Sequence, residues 1–126
     1  MGFGHTQAML VERYSHVSLA TADLARARWF WVDQLGFTVA EEEADRYFMV
    51  DAGTLRLRLD AVDGDVHRVG STDPVVAFEV ASVSETLAEL ATRDIYAHRG
   101  PVMGPQGASA ELRDPDGRAI LLAEQA

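Results

Sequence analysis

"YSHVSLATADLARARWFWVDQLGFTV", residues 14–39, has the same layout as a later stretch, "PVVAFEVASVSETLAELATRDIYAH", residues 74–98. In the first, an alternating strand over Tyr14–Ala20 runs into an amphipathic helix expected over about 22–35. Thr21 is the expected N-cap, Asp23 sits in the first turn where the helix dipole favours an acid, and Gly36 stands as the C′ residue. In the second, Ser82-Val83-Ser84-Glu85 reads as a capping box, and Asp94 occupies the place of Gly36, as a residue tolerant of the left-handed region. Three strand candidates follow each helix: Thr38–Ala40, Arg46–Val50 and Leu55–Leu59, then Tyr96–Arg99, Ser109–Arg113 and Ala119–Ala123. The last hairpin of each set carries a glycine turn, "DAGT" and "DPDG". In Asp114-Pro115-Asp116-Gly117, proline presets the second turn position, the aspartates can accept from nearby amides, and glycine tolerates positive φ.

The chain is therefore expected to be α+β, a single domain over 1–126 made of two tandem βαβββ modules at about 12–60 and 74–124. No Pro/Gly/Ser-rich linker divides them, and "DAVDGDVHRVGSTDP" (60–74) reads as a connecting loop.

Strand alternation sorts the side chains into two faces. Val17 and Leu19, then Val76, Phe78 and Val80, form the apolar face towards the helices. In "LRLRL" the leucines 55, 57 and 59 must be the core face, because two unpaired arginines do not go under a helix. Ile120 and Leu122 follow the same logic. The second face then carries His16, Ser18, Arg56, Arg58, Val75, Ala77, Glu79 and Leu121. Curved into one mixed sheet, these strands would form a concave ligand cleft lined by that face. Within the first helix, Phe30 and Trp31 fit the buried stripe with Leu24, Ala27 and Leu35, leaving Trp29 at the flank where a subunit partner could sit.

Composition narrows the function classes. The chain has 126 residues, 48% hydrophobic and 25% charged, in the range of an ordinary globular protein. A net charge of −9 with no basic block argues against nucleic acid and against anionic membrane surfaces. The absence of cysteine excludes disulfides, thiolate catalysis and zinc fingers. No basic-then-apolar leader layout opens the chain and no apolar run nears membrane-spanning length, so a cytoplasmic protein is expected.

The duplicated unit, with "DLARARWFWVDQLGF" after the first strand and "DPDGRAILL" near the end, resembles the glyoxalase, bleomycin-resistance and extradiol-dioxygenase superfamily, the vicinal oxygen chelate fold. The likeness spans roughly residues 12 to 124. It implies a metal site built from the first, fourth, fifth and eighth strands, usually His, an acid or His, His, and Glu. In this chain those positions fall on His16, on Arg56 or Arg58 depending on register, on Val75 and on Leu121. Arginine repels a cation, and valine and leucine donate nothing, so no metal and no other cofactor is expected.

The resemblance to antibiotic-resistance members implies a non-catalytic, metal-independent protein that sequesters a small molecule, an antibiotic or another aromatic or anionic metabolite, and that works as a homodimer. The alternative is a lyase, isomerase or dioxygenase, with or without a divalent metal, in which His16 and Glu79 act as base and acid. Plainer roles compete at each position. Glu79 can pair structurally with Arg56 or Arg58; Glu41, Glu42, Glu43 and Asp45 read as a solvated hairpin loop; and His5, His67 and His98 read as solvated.

Overall fold

The computed structural model describes residue 10 and residues 15–62, 75–105 and 107–124. His5, His67 and most of the 60–74 connection lie outside them. The first βαβββ unit is β1 (Val17–Thr21), a helix α1 (Leu24–Arg28) continued by a π-helical segment (Trp29–Gln34), β2 (Thr38–Glu43), β3 (Tyr47–Ala52) and β4 (Leu55–Ala61). The second is β5 (Val76–Val80), α2 (Val83–Ala91), β6 (Arg99–Gly104), β7 (Gly107–Arg113) and β8 (Ala119–Glu124). Hydrogen bonding divides the strands into two four-stranded sheets of matching order, β1-β4-β3-β2 and β5-β8-β7-β6. In each, the first strand is parallel to the last and the other pairs are antiparallel.

The face assignments from alternation hold. Leu19, Leu57, Leu59, Val76, Ile120 and Leu122 are buried in a core shared by the two units, while Ser18, Arg56, Ala77 and Glu79 are exposed. Aromatic contacts join the units. The Trp31 ring stacks on Phe37 at 6.1 Å between centroids, and Phe78 meets Phe37 at 5.4 Å and Trp31 at 6.5 Å.

The first helix departs from expectation in two ways. Its N-cap is Asp23, whose carboxylate accepts from the Arg26 amide at 3.0 Å, because Thr21 still belongs to β1 and is buried. From Trp29 the helix also widens. The Leu35 amide donates to the Phe30 carbonyl, five residues back, at 2.9 Å. A wider turn brings successive side chains closer in angle. That is how the adjacent Phe30 and Trp31 are both buried while Trp29 stays 39% exposed.

The remaining helix ends carry the expected residues. Ser82 accepts from the Glu85 amide at 3.2 Å, and Gly36 and Asp94 take φ of 84° and 61°. Strand bounds shift more. The expected strand at Tyr96–Arg99 instead begins at Arg99, and the glutamates 41–43 lie in β2 rather than in a loop. Each of those glutamates has a partner: Tyr47 donates to Glu41, Arg28 to Glu42 at 3.1 Å and Arg46 to Glu43 at 3.2 Å. Paired charges on an edge strand blunt its tendency to recruit another strand.

Candidate functional site: the second sheet face

Pairing register converts the predicted site residues into rows across the sheets. In the first sheet Ser18 lies beside Arg58, Arg58 beside Met49, and Met49 beside Glu41. The next row runs Ala20, Asp60, Tyr47, Glu43. In the second sheet the corresponding row is Ala77, Leu121, Glu111 and Arg99. His16 and Val75 immediately precede β1 and β5, the first half-buried and the second exposed. The Ser15 hydroxyl lies 2.9 Å from His16 Nδ1.

The registers of the two parallel pairs are equivalent. Val17 pairs with Leu57, and its counterpart Val76 pairs with Ile120. Leu57 therefore corresponds to Ile120, and Arg58, not Arg56, corresponds to Leu121.

Each arginine of the face meets a carboxylate of its own sheet. Arg56 Nε donates to Asp51 at 2.9 Å, with the pair largely in solvent. Arg58 Nε donates to Asp60 at 2.9 Å, its side chain is 30% exposed, and its guanidinium carbon stands 3.7 Å over the centre of the Tyr47 ring. That ring adds a cation–π contact to the ion pair. The hydrogen bond to Glu41, foremost, holds the Tyr47 phenol above its ordinary pKa, so the ring stays neutral. Met49 is buried, yet it lies outside the core cluster, on the side of Arg58. Across the other sheet Glu111 pairs with Arg113 at 2.8 Å. Tyr47, Met49 and Asp60 join the face without having been singled out in the sequence. Asp60 follows from the parity of Arg56 and Arg58, whereas "YFMV" carries no alternation to read.

An apolar cavity of about 230 Å³ lies on the opposite, core side, between Leu35, Phe37, Phe78 and Leu90, and of the predicted site residues it takes in Glu79 alone.

The model of the Glyoxalase/Bleomycin resistance protein/Dioxygenase superfamily matches residues 13–122. The chain belongs to that superfamily. Solved structures agree on the fold. TnmS3, an antibiotic binding protein from Streptomyces sp. CB03234, superposes with a TM-score of 0.72 at 24% identity, covering 94% of this chain and 99% of its own. An integron cassette protein from the mobile metagenome of V. cholerae gives 0.71 at 24% identity, covering 94% and 98%. A lactoylglutathione lyase from Agrobacterium tumefaciens gives 0.66 at 21%, covering 92% and 96%. No curated protein matches this sequence.

The four positions to which the resemblance assigns a metal offer a divalent ion few donors in this chain. His16 is the one donor among them; Arg58 brings a positive charge, and Val75 and Leu121 bring hydrocarbon. Among the described residues, no group of three or more His, Cys, Asp or Glu side chains is arranged to hold a metal. Nor is any described helix long and apolar enough to cross a membrane.

Proposed function

We propose that this superfamily member is a metal-independent small-molecule-binding protein that sequesters an antibiotic or another aromatic metabolite in a cleft. The cleft is lined by His16, Ser18, Arg56, Arg58, Val75, Ala77, Glu79 and Leu121. The observation that carries the reading is the substitution at the metal positions: a guanidinium at 58 and hydrocarbon at 75 and 121 leave His16 without co-ligands. What those positions offer instead is a few orienting donors among apolar walls, the balance that suits an organic ligand. The likeness to an antibiotic binding protein supports the same class.

The protein acts in the cytoplasm as a homodimer. Tyr96, Val102 and Met103 leave apolar surface in solvent, at 65%, 60% and 77% exposure, around the edge strand β6. Such a patch and an open sheet edge favour a second subunit.

A thermal-shift screen of aromatic natural products, run in excess chelator, tests the reading. A ligand that binds the folded chain raises its midpoint by an amount that grows as RT ln(1 + [L]/Kd). Tight stoichiometric metal in the purified protein, or binding abolished by chelator, overturns metal independence. A monomer in sedimentation at micromolar concentration overturns the dimer.

A further inference from the structure

Arg58 is held at two points and left open at its Nη groups. Its Nε is tied to Asp60 by a single bond at 2.9 Å, its guanidinium is backed by the Tyr47 ring at 3.7 Å, and Met49 lies beside it in register. Among the described residues neither of its Nη nitrogens has a protein acceptor. A guanidinium carries five donors in a fixed fork. Among the described residues one is used and the other four, on the two Nη groups, are presented on a half-buried face.

The charge around that fork is already balanced. Asp60 neutralises Arg58 directly, and Glu41 lies two strands away in the same row, holding the Tyr47 hydroxyl. The whole chain carries −9. An incoming anion would meet donors but no net positive charge, and would lose its hydration as well. A neutral acceptor takes the same hydrogen bonds at a much smaller desolvation cost.

Resting on the cleft reading above, we propose that Arg58 is the residue that orients the ligand, through its Nη fork, and that Asp60 makes the site selective. Together they accept a neutral organic ligand bearing a carbonyl or comparable acceptor and reject the corresponding anion.

Matched carboxamide and carboxylate pairs on naphthalene, coumarin and acridine rings test this by calorimetric titration of the full chain at pH 7. In at least one pair the carboxamide binds about ten-fold tighter or more than the carboxylate. Arg58→Gln weakens that carboxamide by about ten-fold or more, while Asp60→Asn, with the fold verified by near-ultraviolet circular dichroism, shifts the preference towards the carboxylate by about five-fold or more. Carboxylates binding as tightly as carboxamides in the unmodified protein, or an unchanged preference in Asp60→Asn, overturns the selectivity. Carboxamide binding that survives Arg58→Gln overturns the role of Arg58 while leaving a ligand site in place. If no pair binds at all, the reading of this face as a ligand cleft fails with it.

Discussion

The Asp116 carboxylate accepts a hydrogen bond at 2.9 Å from the backbone amide of Ala22, a residue 94 positions away at the junction of β1 and α1. Beside it Arg118 donates to the Ala20 carbonyl, the last turn of the second unit thus clasping the end of the first strand of the other. The clasp is built by the Asp-Pro-Asp-Gly turn. The Gly117 amide donates to the Asp114 carbonyl at 2.9 Å, and the Asp114 carboxylate accepts from the amides of Asp116 at 3.0 Å and Arg118 at 2.8 Å. Arg118 and Asp114 then form an ion pair, with side chains 1% and 0% exposed. Burial, the largest effect, pushes the Asp114 carboxyl above its ordinary pKa, against the pull of Arg118.

Removing one partner of this pair leaves the other charge buried without its counter-charge. Arg118→Met is expected to destabilise the chain by about 3–5 kcal/mol in urea titration. Arg46→Met, which removes an ion pair whose arginine is 72% exposed, is expected to cost less than about 1 kcal/mol. Equal losses would show that the clasp is no stronger than a surface contact.

Glu124 makes a second tie, within the second unit. One carboxylate oxygen accepts from the Val83 amide at 2.9 Å, at the start of α2, and the other from the Ala108 amide at 3.2 Å on β7. These bonds, the Val83 one foremost, hold its pKa below the ordinary 4.5. A carboxyl whose folded pKa is depressed contributes stability that is present above its unfolded pKa and is lost as pH falls through the folded one. Glu124→Gln keeps one acceptor oxygen but turns an amide N–H towards the other donor. It should therefore lower the melting temperature at pH 7, and the deficit should shrink as pH drops below 4.5 and the wild-type carboxyl protonates. A deficit constant from pH 7 down to pH about 3 would rule out the linkage.

How far these features were legible depends on how local their cause is. The faces of β1, β4, β5 and β8 were readable because alternation places Leu57 and Leu59 opposite Arg56 and Arg58. "YFMV" was not, because three apolar residues in a row, all buried, serve both faces. The turn chemistry of "DPDG" was visible, but not its partner, since nothing in residues 114–117 points to Ala22. The same limit hid Arg118, which reads as a surface residue after a turn until the other unit is folded against it. Of the candidate site, the sequence supplied the residue types but not the register that sets Arg58 between Ser18 and Met49.

Trp31 tests the core where the two units meet. It is fully buried, and its indole N–H has no hydrogen-bond partner among the described residues. Trp31→Ala loses the whole ring and leaves a cavity, a cost of about 3–5 kcal/mol. Trp31→Phe keeps an aromatic ring and also removes the unsatisfied donor, which offsets part of the lost packing, so it should cost clearly less than Trp31→Ala. Chemical denaturation of both variants decides it; a phenylalanine as costly as alanine would mean that the N–H is satisfied after all.

The equivalence of Arg58 with Leu121, and of His16 with Val75, makes the metal question constructive. If these four positions converge on one point as the superfamily's ligands do, restoring donors should restore an ion site. Arg58→His, Val75→His and Leu121→Glu together with the native His16 supply four ligands, and the triple change also removes the repelling guanidinium. Single substitutions leave too few donors, because a tetrahedral or octahedral ion needs at least three protein ligands held at one place. The triple variant is therefore expected to take up about one zinc or nickel ion per chain in equilibrium dialysis, with a melting temperature that rises on adding the ion. The unmodified protein and each single variant should do neither. Stoichiometric metal retained by the unmodified protein would show that it finds ligands beyond His16. A correctly folded triple variant that takes up no metal would show that the four positions do not converge.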